Sequence, residues 1–252
     1  MVMPKLTPCL QTKKTLSMQN NSTIHPVLVV DAATEACSVC LQTQSGIFSR
    51  FEVCPQQHSQ RILPMIHAVC AEAQIKIQDV KLIGFGRGPG SFTGVRIAIA
   101  TMQGLAFGLN VPVVGVSTLA AMAQQVIEQS VADDVLVAID ARMSEVYFAH
   151  YQKQADHIKL VGNERVISPQ MAAEYVQKHT QSAVAGTGWQ AYPELAAMLN
   201  PESVIDVQLP DARYMLPAVV RAYEAGQAVP VEDAQPVYLR DTVTWKKLPG
   251  RE

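Results

Sequence analysis

The part of the sequence best suited to chemistry is a glycine-rich run, Gly86–Gly94 (GRGPGSFTG). Such loops can hold phosphate through their backbone N–H groups. A Walker A loop also needs a lysine, and this run has none at the required place. A G-x-G-x-x-G fingerprint fails as well, because Ser91 and Thr93 stand at the third glycine position in the two possible registers. The run instead favours a tight turn at Gly88-Pro89-Gly90, with Ser91 as the N-cap of a helix.

The helix predicted after this turn, over 93–109, contains small residues on one side, among them Gly104 and Gly108. Each interior glycine costs about 1 kcal/mol relative to alanine, so the two together cost about 2 kcal/mol. A gain in packing should offset this, because small residues four apart let another helix approach closely. That helix belongs either to this chain's own core or to a second protein, and the sequence leaves both possibilities open.

Two aspartates end apolar segments of similar sequence. Asp31 ends VLVVD and Asp140 ends VLVAID, and each is followed by an alanine. In open α/β sheets, sites lie at the carboxyl ends of the strands. Both carboxylates are therefore expected to face a common cleft.

The cysteines offer two further candidates for chemistry. Cys37 and Cys40 form a C-x-x-C pair, a spacing used in redox and zinc sites. On a strand, side chains three apart point to opposite faces, so a structural role is favoured. Cys54 and His58 could form a thiol nucleophile and its base, but no third group that would orient the base is evident.

The elements that must position these residues follow one order twice: strand, strand, strand, helix, strand, helix. In the first half, strands are predicted at 27–31, 37–43, 47–53, 82–85 and 113–116, and helices at 58–73, 93–109 and from 117 or 118 to about 129. In the second half, strands are predicted at 135–140, 145–152, 157–167 and 182–185, and helices at 169–178, 190–199 and 212–225. Such a duplication indicates two similar α/β lobes.

Composition narrows the function classes. The chain of 252 residues has a net charge of −2, whereas a protein that binds nucleic acid alone is usually basic. Five cysteines, without a signal peptide, indicate reduced thiols and a cytoplasmic location. The uncharged run 97–127 is broken by glycine, asparagine and proline, so we interpret it as helix, strand and helix rather than a membrane span. Residues 1–24 read as a disordered tail, 25–117 as the first lobe and 118–252 as the second lobe with a C-terminal tail.

Several long motifs resemble one known family, TsaB, also called YeaZ. The matching segments are DAATEACSV from Asp31, HSQRILPMI from His58, GRGPGSFTGVR from Gly86, IDARMSEVY from Ile139, GTGWQAYP from Gly186 and PVYLRDTVTWKKLPG from Pro236. The resemblance covers the chain from about residue 27 to its end. It implies duplicated ribonuclease-H-like lobes of the actin/Hsp70-like ATPase fold.

The resemblance also implies a function. The family provides a non-catalytic scaffold and activator subunit for the transfer of a threonylcarbamoyl group from threonylcarbamoyl-adenylate to N6 of adenosine 37, in tRNAs reading codons that begin with A. The implied partners are a TsaD-type catalytic paralogue, a TsaE-type ATPase and, when the chain is free, a second copy of itself. Contact with tRNA occurs through the complex. The alternative is an independent ATPase, kinase or peptidase of the same fold.

The same resemblance suggests a cleft that has lost its ligands. The catalytic paralogue holds a metal with two histidines four apart, and the matching places here are Thr118 and Met122, so neither a metal nor transfer chemistry is expected. Ala32 and Ala33 stand where ATPases of this fold have a glycine beside phosphate. We therefore expect no cofactor and no catalytic residue, with a degenerate cleft at Asp31, Asp140, Gly186 and Gly188.

The partner is expected to dock on the first-lobe helices, 58–73 and 93–108. The residues predicted at or near that surface are Arg61, Ile62, Met65, Val95, Ala98, Ile99, Met102 and Gly104. A charged substitution at Gly104 or Ile99 is expected to abolish pairing while the lobe stays folded.

Overall fold

The computed structural model describes residues 24–155, 157–199 and 203–240. A five-stranded sheet lies in the first half of the chain, with the order β3-β2-β1-β4-β5. Its strands are β1 (Val27–Asp31), β2 (Ala36–Thr43), β3 (Gly46–Val53), β4 (Leu82–Gly86) and β5 (Val113–Val116). β2 is antiparallel to β1 and β3, while β1, β4 and β5 run parallel to one another. The carboxyl ends of these parallel strands therefore meet at one edge of the sheet.

Two helices pack side by side on one face of this sheet: α1 (His58–Glu72) and α2 (Phe92–Leu109). Their apolar stripes form one core with alternate residues of β1, such as Leu28 and Val30. Ser91 caps α2 by accepting a hydrogen bond from the Gly94 N–H at 3.3 Å, as the sequence predicts. α2 has the length and mean hydropathy of a membrane-spanning helix, but its inner side is buried against the protein's own sheet.

A four-stranded sheet in the second half repeats the arrangement without a fifth strand, in the order β8-β7-β6-β9. Its strands are β6 (Asp134–Asp140), β7 (Val146–Gln154), β8 (His157–Ile167) and β9 (Ala183–Ala185). The helices that follow are α4 (Pro169–Val176), α5 (Gly188–Ala191) and α6 (Pro193–Ala196). The 190–199 prediction corresponds to these last two short helices, because Tyr192 adopts an extended backbone just before Pro193.

One helix is shared between the two sheets. α3 (Thr118–Gln129) packs Leu119 and Met122 against the second sheet, while Ala121 lies in the core of the first. Its N-terminus is capped by Ser117, which accepts a hydrogen bond from the Ala120 N–H.

The last helix of the described chain returns to the first sheet. A 3-10 turn at Ala212–Met215 leads into α7 (Leu216–Glu224), whose first turn contains Pro217. Val219 of α7 lies against Gly84 of β4, where an added β-carbon would overlap it. The sequence-based division assigns this helix to the second lobe, 118–252, whereas its apolar side covers the free face of the first sheet.

The predicted α/β fold with duplicated ribonuclease-H-like lobes is confirmed: the first sheet has the order 3-2-1-4-5, and the second repeats its first four positions. The predicted tail at 1–24 lies outside the described residues except for Ile24.

Candidate functional site

The glycine-rich run lets two backbone segments pack in direct contact. The Ser91 N–H donates a hydrogen bond to the Ala33 carbonyl at 2.7 Å. A β-carbon added to Gly90 would overlap that carbonyl, and one added to Gly94 would overlap the carbonyl of Ala32. These glycines therefore let the start of α2 lie directly against the turn after β1. The predicted turn and helix cap are present in the structure, and the Ser91 N–H is not available to a phosphate because it is bonded to the Ala33 carbonyl.

Asp31 lies at the carboxyl end of β1 but is fully buried. Its Oδ2 accepts a hydrogen bond from the Ala33 N–H at 3.3 Å, and Oδ1 has no hydrogen-bond partner among the described residues. The pKa of this carboxyl is raised to about 7, mainly by burial; the hydrogen bond from Ala33 opposes the rise, and the nearby Asp211 adds a smaller increase. A carboxyl without solvent access that is half-protonated near neutral pH is poorly suited to hold Mg²⁺ from solution.

Asp140 lies at the matching end of β6 and has a different environment. Its side chain is 16% exposed, and Oδ2 pairs with the Arg142 guanidinium at 2.8 Å. Oδ1 accepts hydrogen bonds from the Arg142 N–H at 2.9 Å and from the Tyr192 hydroxyl at 3.0 Å. Both oxygens are thus engaged within the second lobe.

The two glycines of the predicted degenerate cleft, Gly186 and Gly188, pack against the neighbouring strand β6. Gly186 has a φ of +108°, a conformation that favours glycine, and a β-carbon there would overlap the Ala138 carbonyl. A β-carbon on Gly188 would lie 3.0 Å from the same carbonyl oxygen and from the Ala138 β-carbon. Their small size therefore serves the contact with β6.

The remaining candidates for chemistry are buried. Thr118 and Met122, at the two places where the resemblance expects metal-binding histidines in a catalytic paralogue, have no exposed surface. In the described part of the chain, no three His, Cys, Asp or Glu side chains form a group that could hold a metal ion. Cys37 and Cys40 lie on opposite faces of β2, one in each core. Burial raises the pKa of the Cys37 thiol to about 12, so its nucleophilic thiolate is scarce.

The residues predicted at or near a docking surface divide into two groups. Six are buried against the first sheet or within the helix pair: Ile62, Met65, Val95, Ala98, Ile99 and Met102. Arg61 is half-buried and its guanidinium binds Glu52 at 2.6 Å, while Gly104 is exposed. The buried side chains cannot reach a partner in this conformation. A charge at Ile99 would disrupt the core, so a charged substitution there would unfold the lobe as well as affect docking.

The outer sides of α1 and α2 carry a different set of exposed residues, small or apolar apart from His67, which we call the helix face. It consists of Leu63, Pro64, His67, Ala71, Ala100, Gly104, Phe107 and Gly108. Phe107 is 75% exposed and Leu63 is 53% exposed. Sequence reasoning missed Leu63 and Phe107 because it followed the strongest apolar stripe, which faces the sheet. In the sequence, the pair Gly104 and Gly108 indicated that the outer side of α2 has a role in packing.

The two helix-face glycines have open space beside them in the described part of the chain. Around a β-carbon added to Gly104 or Gly108, no heavy atom of the described residues lies within 4 Å. The gain in packing that should offset these glycines is therefore not supplied by this chain's own core.

Comparison with known proteins gives the family. A family model for TsaD, tRNA N6-adenosine threonylcarbamoyltransferase, matches residues 12–216. A protein of Escherichia coli strain K12, named tRNA threonylcarbamoyladenosine biosynthesis protein TsaB, is 46% identical over 233 residues, which are 90% of this chain and 99% of that protein. The protein of the same name from Haemophilus influenzae is 40% identical over 90% of this chain and 98% of its own length.

Solved structures agree with the sequence relatives. A crystal structure of a Pseudomonas aeruginosa protein, described as similar to the peptidase YeaZ, matches with a TM-score of 0.76 and 40% identity, over 86% of this chain and all of that one. A structure of YeaZ from the same organism matches with a TM-score of 0.74, 39% identity and the same coverage. The chain therefore belongs to the TsaB (YeaZ) family of tRNA threonylcarbamoyladenosine biosynthesis proteins, which is related to TsaD.

Proposed function

We propose that this chain is a non-catalytic scaffold and activator subunit of the complex that makes threonylcarbamoyladenosine in tRNA. In this complex a TsaD-type partner transfers the threonylcarbamoyl group from threonylcarbamoyl-adenylate to N6 of adenosine 37, in tRNAs reading codons that begin with A. The present chain holds that partner in its active form. It does so only if it binds the active form more tightly than the inactive one.

The observation that carries the proposal is the helix face. Two interior glycines cost about 2 kcal/mol in helix stability, and no contact within the described chain recovers it. Phe107 of α2 and Leu63 of the neighbouring helix α1 add exposed apolar surface. Contiguous apolar surface on a folded lobe is typical of a protein–protein contact. A helix of a TsaD-type partner, lying across the glycines, would gain close backbone packing and bury these side chains.

The geometry of the cleft supports a non-catalytic role. Asp140 uses both carboxylate oxygens within its own lobe, and Asp31 has no solvent access. Catalysis of group transfer needs a group free to meet the substrate. These contacts favour the scaffold over the alternative of an independent ATPase, kinase or peptidase.

The helix face and the net charge of the chain also bear on its other partners: a second copy, a TsaE-type ATPase and tRNA. When the partner is lacking, a second copy of the chain covers the helix face, because identical apolar faces can pair about a twofold axis. A TsaE-type ATPase joins the assembly of the two paralogues. With a net charge of −2, the chain meets tRNA within the complex, in the cytoplasm.

Reconstituted tRNA modification tests this proposal. The TsaD-type partner and the enzyme that supplies threonylcarbamoyl-adenylate are assayed with and without this chain, and with Phe107→Asp. The wild-type chain should raise the rate of product formation, and Phe107→Asp should lose that stimulation and co-elution with the partner while keeping its thermal unfolding midpoint.

A matched control is available on the surface. Val131 is 98% exposed and lies outside the helix face, so Val131→Asp should stimulate the partner like the wild type. Full activity of the partner alone, or full stimulation by Phe107→Asp, would show the proposal to be wrong.

A further inference from the structure

The segment Ala234–Arg240, which we call the strap, begins along the first lobe. Gln103 of α2 donates a hydrogen bond to the Ala234 carbonyl at 3.4 Å, and the Val237 N–H donates to the Arg87 carbonyl at 2.8 Å. The Tyr238 ring packs against Phe92, with centroids 5.6 Å apart, and its hydroxyl accepts a hydrogen bond from Nε of Arg96 at 2.9 Å. The strap is thus attached both to the glycine-rich run and to the first turn of α2.

The strap ends on the second lobe. The Arg240 side chain is 15% exposed, and its Nε and Nη2 both donate to one oxygen of Glu145, at 3.1 and 2.5 Å. Nη2 also donates to the Arg142 carbonyl at 3.3 Å. A guanidinium that binds a carboxylate and a carbonyl together fixes position and orientation better than a single ionic contact does.

The loop that receives Arg240 has an unusual backbone. Arg142, Met143 and Ser144 have φ values of 61°, 56° and 59°. Three consecutive residues with side chains rarely adopt this left-handed conformation, which is unfavourable for each of them. Glu145 and the Arg142 carbonyl flank these residues, so Arg240 holds both sides of the strained turn. The surroundings must impose this conformation, and the strap is part of those surroundings.

The strap crosses from one lobe to the other at the carboxyl ends of their strands. Arg87 follows β4 and the loop at 141–145 follows β6, so both attachment points lie at carboxyl ends of strands. This edge is where open α/β sheets bind their ligands, and domains of such proteins often close around a ligand bound there. From Val237 to Arg240 the chain spans at most about 10 Å, so the two edges are kept close.

We propose that the strap is an internal ligand of the interlobe cleft, which fixes the angle between the two lobes in the way that a bound nucleotide does in a two-lobed ATPase. Arg240 is the positioning residue of this latch. The other polar bridges between the lobes include Arg142–Glu35, at 3.4 Å on an exposed side chain, and Ser117–Glu164. The first is too exposed to hold the angle.

Distance measurement between spin labels in the isolated full-length chain tests the latch. Labels are placed at Gln44→Cys in the turn between β2 and β3 and at Gln154→Cys at the end of β7, both exposed, in a Cys9→Ser background. The four other native cysteines are buried. The labelled chain is diluted into an excess of unlabelled chain, so that a paired second copy contributes no label. The wild-type strap should then give one narrow distance distribution, and Arg240→Ala should broaden it about twofold, as expected when a hinge is released. Arg240→Lys should give an intermediate width, because lysine lacks the two-pronged guanidinium.

The control is an arginine with a similar ionic contact inside one lobe. Arg50 binds Glu72 at 2.6 Å in the first lobe, so Arg50→Ala should leave the distribution narrow. Glu145→Ala should broaden it as much as Arg240→Ala, and the double variant should broaden it no further. If Arg240→Ala fails to fold, Arg240→Lys and Glu145→Ala decide the question. A distribution as narrow as the wild type in the folded variants would overturn the latch. The readout needs no partner, so its failure is distinct from a failure of the proposed function.

Discussion

At the scale of single residues, Asp31 and Asp140 illustrate how neighbours decide what a carboxylate can do. Both end the first strand of a sheet, and both were expected from the sequence at a strand end. Asp31 is enclosed by the packed start of α2 and by Gly86, whose added β-carbon would overlap its Oδ1. Asp140 is held by Arg142 and Tyr192 instead. The strand pattern predicts the position of each carboxylate, but its environment also depends on residues far away in the sequence, such as Gly86 for Asp31 and Tyr192 for Asp140.

The burial of Asp31 leads to a prediction for pH dependence. Its pKa is about 7 in the folded protein, because burial disfavours the charged form, against 3.8 in the unfolded chain. The folded state therefore binds the proton more tightly, so this contribution to stability is complete below pH 4 and is lost as the pH rises through 7. Between pH 5 and pH 8 the loss is about 3 kcal/mol. Asp31→Asn cannot titrate, so its free energy of unfolding should fall less over this range, by about that amount.

Urea denaturation at pH 5 and pH 8 measures this difference. Asp133, whose side chain is 80% exposed, supplies the control, and Asp133→Asn should keep the wild-type change between the two pH values. Equal changes in the wild type and Asp31→Asn would mean that Asp31 is not protonated in the folded protein at pH 5.

At the scale of elements, α2 contains glycines with opposite roles. Gly94 is buried, and a β-carbon there would overlap the Ala32 carbonyl, which belongs to backbone that cannot easily move. Gly104 is exposed, and the described residues leave the space around its β-carbon position open. The same substitution in one helix should therefore have opposite effects on stability.

We expect Gly94→Ala to destabilise the chain by about 3 kcal/mol through overpacking. Gly104→Ala should stabilise it by about 0.5–1 kcal/mol, because alanine restricts the unfolded chain and favours the helix. Thermal or urea unfolding measures both. If the glycine serves close approach of a partner, Gly104→Ala should also bind the TsaD-type subunit less tightly despite its greater stability. Tighter binding would argue against close packing at this position.

The packing of the helices also explains which elements and site residues could be predicted from the sequence and which could not. Apolar periodicity predicted the strands and long helices of both lobes within a few residues, because burial against a sheet imposes that period. The same signal selected Ile62 and Met102 for the docking surface, although such residues face the chain's own core. Exposed apolar residues such as Phe107 carry no periodic signal, so they become visible only once the inner side of each helix is known.

At the scale of the whole molecule, helices from one half of the sequence pack on the sheet of the other half, which the duplicated pattern does not predict. α7 covers the first sheet although it follows the second in sequence, and α3 packs on both. The sequence of an amphipathic helix shows that one side is apolar, but not which sheet that side will cover. The lobe boundary could therefore not be predicted from the apolar periodicity. The shared helices and the strap join the lobes through segments distant in sequence.

This arrangement predicts that the isolated chain does not bind ATP with Mg²⁺ at micromolar affinity. A nucleotide between the lobes would need free backbone N–H groups beside the turn after β1, but the Ser91 N–H is bonded to the Ala33 carbonyl. It would also need carboxylates open to a metal, whereas Asp140 is bound by Arg142 and Tyr192. Titration calorimetry should give no heat beyond dilution for the wild type, with the purified TsaD-type paralogue titrated in parallel as the comparison. Micromolar binding that disappears in Asp140→Ala would revive an independent ATPase or kinase, because it would mean that the lobes can open far enough to release these internal contacts.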